Sequence, residues 1–489
     1  MVTHARILFL FIYIGGLIAL LMWMSPTKIQ MLGYELRMFH LKDLSSYVTT
    51  NQKALEILST KMEALNDLNS LSEKQDFSDV QADTSSYQNK IEYPENAEDA
   101  LDGFFEALYT LKERKYLIRI LHYGDSQLEG DRITEHLRAQ LQNRFGGCGV
   151  GWIPIVELDN IRSTLWQKAS SQWKKYAVYS DSRKTAPHRS YGLLGSYFTF
   201  TEKSDSDFSV ANLKIAPTKN SYKQASQVQT IKCHYSTHET DSLRLILKWN
   251  DSLLTDEYLP PNTEYGVYSL EISNQEPFEN IFIEFQGKGS PEIFGVSLDC
   301  KEGIAIDNIA MRGSSGTDFI HISQTLLSKM LLQNNVKLII WQFGINVVPY
   351  LTKDFDYYEK SISAQLKHIK NADPNISILV VGVSDMAKKE NGEIISYPNL
   401  TAVRDAQKRA AFANKCAFWD LYEAMGGRNS IIQWAKHKPA YANRDFAHFT
   451  REGARFTGEL LYKELMKEYG KFLKKRRIEL HSKAHSNRL

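Results

Sequence analysis

Ser126 closes the tripeptide Gly124-Asp125-Ser126, directly after a hydrophobic run from Tyr116 to Tyr123 that reads as a β-strand. Behind it Ile133, Leu137 and Leu141 recur every four residues up to Gly146-Gly147, the pattern of a helix with a glycine stop. A serine between strand and helix is either the helix N-cap or a residue at the carboxyl edge of an α/β sheet, where ligands bind. Far along the chain, Asp445-Phe-Ala-His448 places a carboxylate three residues before an imidazole. One turn brings that carboxylate to Nδ1–H, fixing the tautomer and leaving Nε2 free as a base. Two further segments lie between, Asn308-Ile-Ala-Met-Arg-Gly313 and Phe343-Gly-Ile-Asn346, each following a strand-like run. A glycine N–H and an asparagine amide are donors suited to an oxygen that becomes negative during acyl transfer. Each segment alone is weak, but four in this order, each at a strand's carboxyl end, point together to a serine nucleophile, its base and its anion-stabilising donors.

The elements that must carry these residues alternate. A helix is predicted from Ala97 to Glu113, with Ala100, Leu101, Phe104, Phe105 and Leu108 on one face. Strands are expected at Val336 to Phe343, Ser377 to Val383 and 416–420, separated by helices at Tyr358 to Ile369 and 402–414 and followed by one from about Thr450. Strand and helix in alternation predict a parallel sheet covered on both faces. Between about 160 and 300 the texture shifts to short β-prone runs, such as Thr230 to Tyr235 and Leu243 to Trp249, spaced by turn residues. That spacing predicts a β-sandwich inserted into the α/β domain.

In these motifs the sequence resembles the SGNH, or GDSL-type, hydrolase family, whose signatures run Gly-Asp-Ser, a glycine, Gly-x-Asn-Asp and Asp-x-x-His. The resemblance implies that Ser126 is the nucleophile, that His448 is the base oriented by Asp445, and that Ser126, Gly313 and Asn346 supply the oxyanion hole. Val347 departs from the pattern, standing where many members carry Asp, and Gly316 competes with Gly313 for the glycine position. The implied fold is a flavodoxin-like α/β three-layer sandwich with an inserted all-β, jelly-roll-like domain. The hydrolase parts then span 96–160 and 301–475, and the carbohydrate-binding-like insert spans 161–300. Within the family the arrangement is most similar to peptidoglycan O-acetylesterases, which implies hydrolysis of O-acetyl groups on a cell-wall or other extracytoplasmic polysaccharide without cofactor or metal. Two rivals stand beside this: a polysaccharide O-acetyltransferase using the same residues, with a membrane-bound acyltransferase as partner, and a non-catalytic glycan-binding protein.

Composition narrows the field. The 489 residues hold 59 Lys plus Arg against 57 Asp plus Glu, a net charge of +2 that offers no basic excess for nucleic acid. Cys148, Cys233, Cys300 and Cys416 lie far apart and form no metal-ligand spacing; one or two bridges are open in an oxidising compartment, with connectivity unreadable. Ile7 to Met24 carries no charge and reads as a single membrane-spanning helix at 1–29. Arg6 on one side balances Lys28 and Arg37 on the other, so the short N-terminus argues for a periplasmic or extracellular catalytic domain. A helical stalk with Leu55, Leu58, Met62, Leu65 and Leu68, then a polar linker, is expected over 30–95. His122 reads as a packed core histidine, His188 as part of a solvated loop or of the glycan cleft, and 476–489 as a basic tail.

Overall fold

The computed structural model describes residues 28–31, 34–37 and 90–486, apart from 158–161, 202–207, 240, 263, 290 and 353. Near-continuous apolar runs build the central sheet from five parallel strands: β1 (Leu117–Gly124), β2 (Gly303–Ala310), β3 (Val336–Gln342), β4 (Ser377–Val381) and β5 (Ala417–Trp419). Such runs suit strands buried on both faces. Their spatial order is β2-β1-β3-β4-β5, with the short segment Ile91–Glu92 antiparallel at the β5 edge. This is the flavodoxin-like winding, in which the first crevice lies beyond the carboxyl ends of the strands flanking β1.

Alternate residues feed two separate cores. Leu121, Tyr123, Ile339, Trp341, Ile378 and Val380 meet α3 (Gln324–Gln333), α4 (Asp356–Ala372) and α5 (Leu400–Ala413) on one face. Ile118, Ile120, Leu338, Ile340, Leu379 and Val381 form the other with α1 (Asp102–Arg114), α2 (Thr134–Phe145) and the long α6 (Arg451–Ser486). The helix expected from Ala97 begins only at Asp102, because turns occupy the residues before it. The basic tail is no separate segment among the described residues. It continues α6, and Lys475 and Arg476 reach Asp102 and Glu106 of α1 at 3.1 and 2.5 Å.

The stretch between β1 and β2 forms two antiparallel sheets. Tyr268–Ser273, Thr230–Ser236, Glu292–Asp299, Ser196–Thr199 and Lys174–Ala177 make one, and Ser252–Leu259, Ser242–Trp249, Ile281–Lys288, Ser209–Pro217 and Leu165–Ala169 the other. Period-two burial, as in Leu243, Leu245, Leu247 and Trp249 against Ile281, Ile283 and Phe285, makes a sandwich core between them. The sandwich takes chain from before the expected boundary at 161, since Gly151–Ile153 pairs with Glu292–Asp299. The Gly146-Gly147 stop turns out to open a neck: at Gly149, φ is +74° and an added Cβ would stand 1.9 Å from the Leu298 carbonyl oxygen. Cys148 in this neck is disulfide-bonded to Cys300, while Cys233 and Cys416 are free and buried, their thiols pushed up to about 12 by burial.

The proposed membrane span at Ile7 to Met24 and the helical spacing from Leu55 to Leu68 lie outside the described residues. Among the described residues no helix is long and apolar enough to cross a membrane. Where the stalk helix was to start, Lys28–Met31 instead pairs antiparallel with Tyr34–Arg37. The alternation of Lys28, Gln30, Glu35 and Arg37 with Ile29, Met31, Tyr34 and Leu36 has the period of a strand.

Candidate active site

The carboxyl ends of β1 to β4 and the loop before α6 supply the site. Beyond β1, Asp125 caps a 3-10 turn by accepting the Gln127 N–H at 3.0 Å, and this turn presents Ser126. The Ser126 Oγ lies 2.8 Å from His448 Nε2, and His448 Nδ1 lies 2.8 Å from Asp445 Oδ2. Asp445 also accepts the N–H groups of Ala447 and His448, both at 3.0 Å, so the carboxylate folds its own loop around the imidazole. Burial pushes the Asp445 carboxyl up, but the hydrogen bonds from His448 and these two N–H groups outweigh it and hold the group below the usual carboxylate range. With Nδ1–H committed to Asp445, Nε2 faces the serine hydroxyl as an acceptor.

Gly313 and Asn346 come to the same edge. A turn closed by Ser314 N–H on the Met311 carbonyl at 3.0 Å holds Gly313 at φ +82° with nothing within 4 Å of where a Cβ would stand. Gly316 differs: a Cβ there would meet Trp341 at 2.2 Å and Phe343 at 2.8 Å, so it serves packing. The Asn346 Nδ2 donates to the Ser314 carbonyl at 2.9 Å, which ties the β3 loop to the β2 loop. An amide nitrogen carries two hydrogens, so this bond orients the group and leaves one N–H to donate elsewhere. Val347, where the family pattern has Asp, is buried in the apolar core. The loop is held by Asp125 instead, whose Oδ2 accepts from Gly344 and Ile345 at 3.1 and 3.4 Å. Burial raises the Asp125 carboxyl to about 6, against the pull of these N–H groups and of His448.

Sequence reasoning missed Gln127 and Arg132. The buried Gln127 side chain donates to the Ala447 carbonyl at 2.7 Å and to Ser384 Oγ at 3.2 Å, and its Oε1 accepts the Phe449 N–H at 3.2 Å. It thereby clamps both sides of His448 to the nucleophile turn. Arg132 donates to the carbonyls of Ser126 and Gln127. No spacing marks Gln127, because the partners of its side chain lie more than 250 positions away. His122 is a core residue: Nε2 bonds Gln342 Oε1 and Nδ1 bonds Thr134 Oγ1, both at 3.0 Å. His188 stays 27% exposed in its loop, while its Nε2 bonds the buried Glu292 and its ring stacks on Tyr197 with centroids 4.8 Å apart.

No protein-family model and no curated protein matches the chain. Among solved structures, one described as a peptidoglycan O-acetylesterase in action superposes with a TM-score of 0.58 at 18% identity, over 76% of this chain and 96% of that one. The fold is that of the SGNH hydrolases. That likeness extends through the α/β body and the insert, as its coverage requires. A family two carbohydrate esterase from Clostridium thermocellum aligns at 9% identity and TM-score 0.23 over 55% of this chain and 97% of that one. An acetyl xylan esterase aligns at 17% and 0.26 over 33% and 80%. In the SGNH fold described here, Ser126, His448, Asp445, Gly313 and Asn346 meet at one sheet edge.

Proposed function

We propose that this protein is a serine esterase that removes O-acetyl groups from an extracytoplasmic polysaccharide. The observation that carries the reading is the continuous chain from Ser126 Oγ through His448 to Asp445, with 2.8 Å at each link. His448 takes the serine proton as Oγ attacks the acetyl carbonyl, and the resulting oxyanion is met by the N–H groups of Ser126 and Gly313 and the free N–H of Asn346. Collapse breaks the bond to the sugar oxygen, which leaves as a hydroxyl by taking the proton from His448, and acetyl-Ser126 remains. Water deprotonated by His448 then attacks this ester, the Oγ–carbonyl bond breaks as His448 returns the proton to Ser126 Oγ, and acetate departs. Every group in the cycle belongs to the chain itself. In this reading the uncharged run Ile7 to Met24 tethers the catalytic body to the membrane with Ser126 on the outer side.

Acetate release from an O-acetylated polysaccharide, measured for the wild type and for Ser126→Ala, tests the assignment. Loss of a nucleophile costs on the order of 10³-fold or more. Retention of more than about a tenth of the activity by the variant would remove Ser126 from the mechanism.

A further inference from the structure

Two hollows flank the nucleophile turn and share Glu129 in their walls. The smaller, of about 250 Å³, is built by both parts of the molecule: Asn308 and Arg312 come from the end of β2, and Lys175 and Tyr179 from the sandwich. It stands beside the site from two directions, since Glu129 lies three residues after Ser126, at the kink that ends its turn, and Arg312 immediately precedes Gly313.

Its charge is unbalanced. Arg162 lines the hollow at 4% exposure and gives Nε to Glu157 at 2.6 Å, yet its Nη1 finds no hydrogen-bond partner among the described residues. The buried Asn308 Oδ1 in the same wall is likewise unmatched. Glu129 divides its single charge between Arg312 at 3.3 Å and Arg132 at 4.0 Å. Lys175 points its ammonium over the rings of Tyr179 and Phe198, at 5.5 and 5.9 Å. Three cations therefore line the wall against two carboxylates, Glu129 and Glu157, among the described residues, while Asp131 behind Arg162 is itself bound by Arg138. A buried guanidinium with an unmatched N–H is costly, and a carboxylate is the acceptor that guanidinium geometry suits best. Tyr179 and Leu194 add apolar surface for the face of a sugar ring.

We propose that this hollow is a subsite for a carboxylate-bearing sugar, so that the esterase acts on an acidic polysaccharide in which the charged residue neighbours the acetylated one. The inference rests on the esterase reading and deepens it. Lys175 takes the carboxylate, the charges of Arg162 and Arg312 in the same wall add to its pull, and the adjoining sugar is delivered to Ser126.

Full-length wild type, Lys175→Ala, Lys175→Glu and Lys175→Arg should be compared on O-acetylated oligogalacturonate, on O-acetylated xylo-oligosaccharide and on p-nitrophenyl acetate. Loss of one charge-assisted contact predicts a fall in kcat/KM on the acidic oligomer of about tenfold for Ala, more for Glu, and recovery with Arg. The neutral oligomer and the small ester should be hydrolysed at unchanged rates. Equal losses on all three substrates, or a wild-type preference for the neutral oligomer, would overturn the proposal. Binding of unacetylated oligogalacturonate, followed by calorimetry on the same proteins, separates this claim from the catalytic one. Lys175-dependent binding supports the subsite even if no ester is hydrolysed, and absence of binding to the wild type refutes it.

Discussion

Gln127 follows the proposed nucleophile, yet its side chain bonds on both sides of the base, at Ala447 and Phe449. Its removal leaves Ser126, His448 and Asp445 in place but frees the loop that sets their spacing. Since misplacement by about 1 Å can cost 10²-fold, Gln127→Ala should lower kcat roughly 10- to 100-fold with KM little changed. Gln127→Glu keeps the acceptor for Phe449 N–H but sets a carboxylate against the Ala447 carbonyl, so it should not rescue. Wild-type kcat in both variants would show that the His448 loop holds itself. At this scale the sequence displayed the reacting residues well, because Gly-Asp-Ser and Asp-x-x-His are local patterns whose chemistry follows from residue type. Gln127 was illegible for the opposite reason: a glutamine is ordinary anywhere, and only its partners across the fold give it a task. Asn346 was read as a donor from its place after β3, whereas its bond to Ser314 needed coordinates.

Elements were legible wherever burial imposed a period. The five parallel strands and the helices between them follow from apolar runs and from spacings of three and four, and their ends shift by a few residues, most at α1, where turns precede Asp102. What the period could not convey is how elements are locked together, and His122 is one such lock. Gln342 Oε1 can only accept, so His122 Nε2 carries the hydrogen, and Nδ1 takes the Thr134 hydroxyl. Thr134 in turn receives Asn308 Nδ2 at 2.7 Å, so one neutral imidazole joins β1 to β3, β2 and the start of α2. Burial is the main cause that lowers its pKa from 6.5 to about 4. A base with a depressed folded pKa adds stability that is complete above 6.5, where it is neutral in both states, and that is lost as pH falls toward about 4, because the unfolded chain alone gains the proton. The loss is on the order of 3 kcal/mol. Urea unfolding of wild type and His122→Gln across pH 7 to 4 should show a shallower decline for the variant, and parallel curves would contradict a buried neutral histidine.

On the scale of the whole molecule the change of texture near residue 160 revealed an insert but not its bond to the body. Residues Ser85–Leu489 form one compact unit. Trp152, Tyr197 and Phe294 of the insert lie in the same buried cluster as Leu121, Tyr123 and Ile309 of the sheet. Arg119 on β1 is held at 2.6 Å by Asp299, where the sandwich ends, and by Asp307 on β2. Shared apolar cores unfold cooperatively, so insert and body should melt together. Calorimetry should therefore record one transition, and replacing 151–299 by a short linker should leave no cooperatively folded α/β body. Cys148 and Cys300 close this neck across 152 positions, and a native cross-link of that kind contributes about 2–4 kcal/mol. The Cys148→Ser, Cys300→Ser double variant should accordingly melt earlier while hydrolysing a small acetyl ester at the wild-type rate below its transition, since neither cysteine belongs to the Ser126 site. Two resolved transitions in the wild type would mean that the sandwich stands alone, and the shared cluster around Trp152 would then be contact without cooperation.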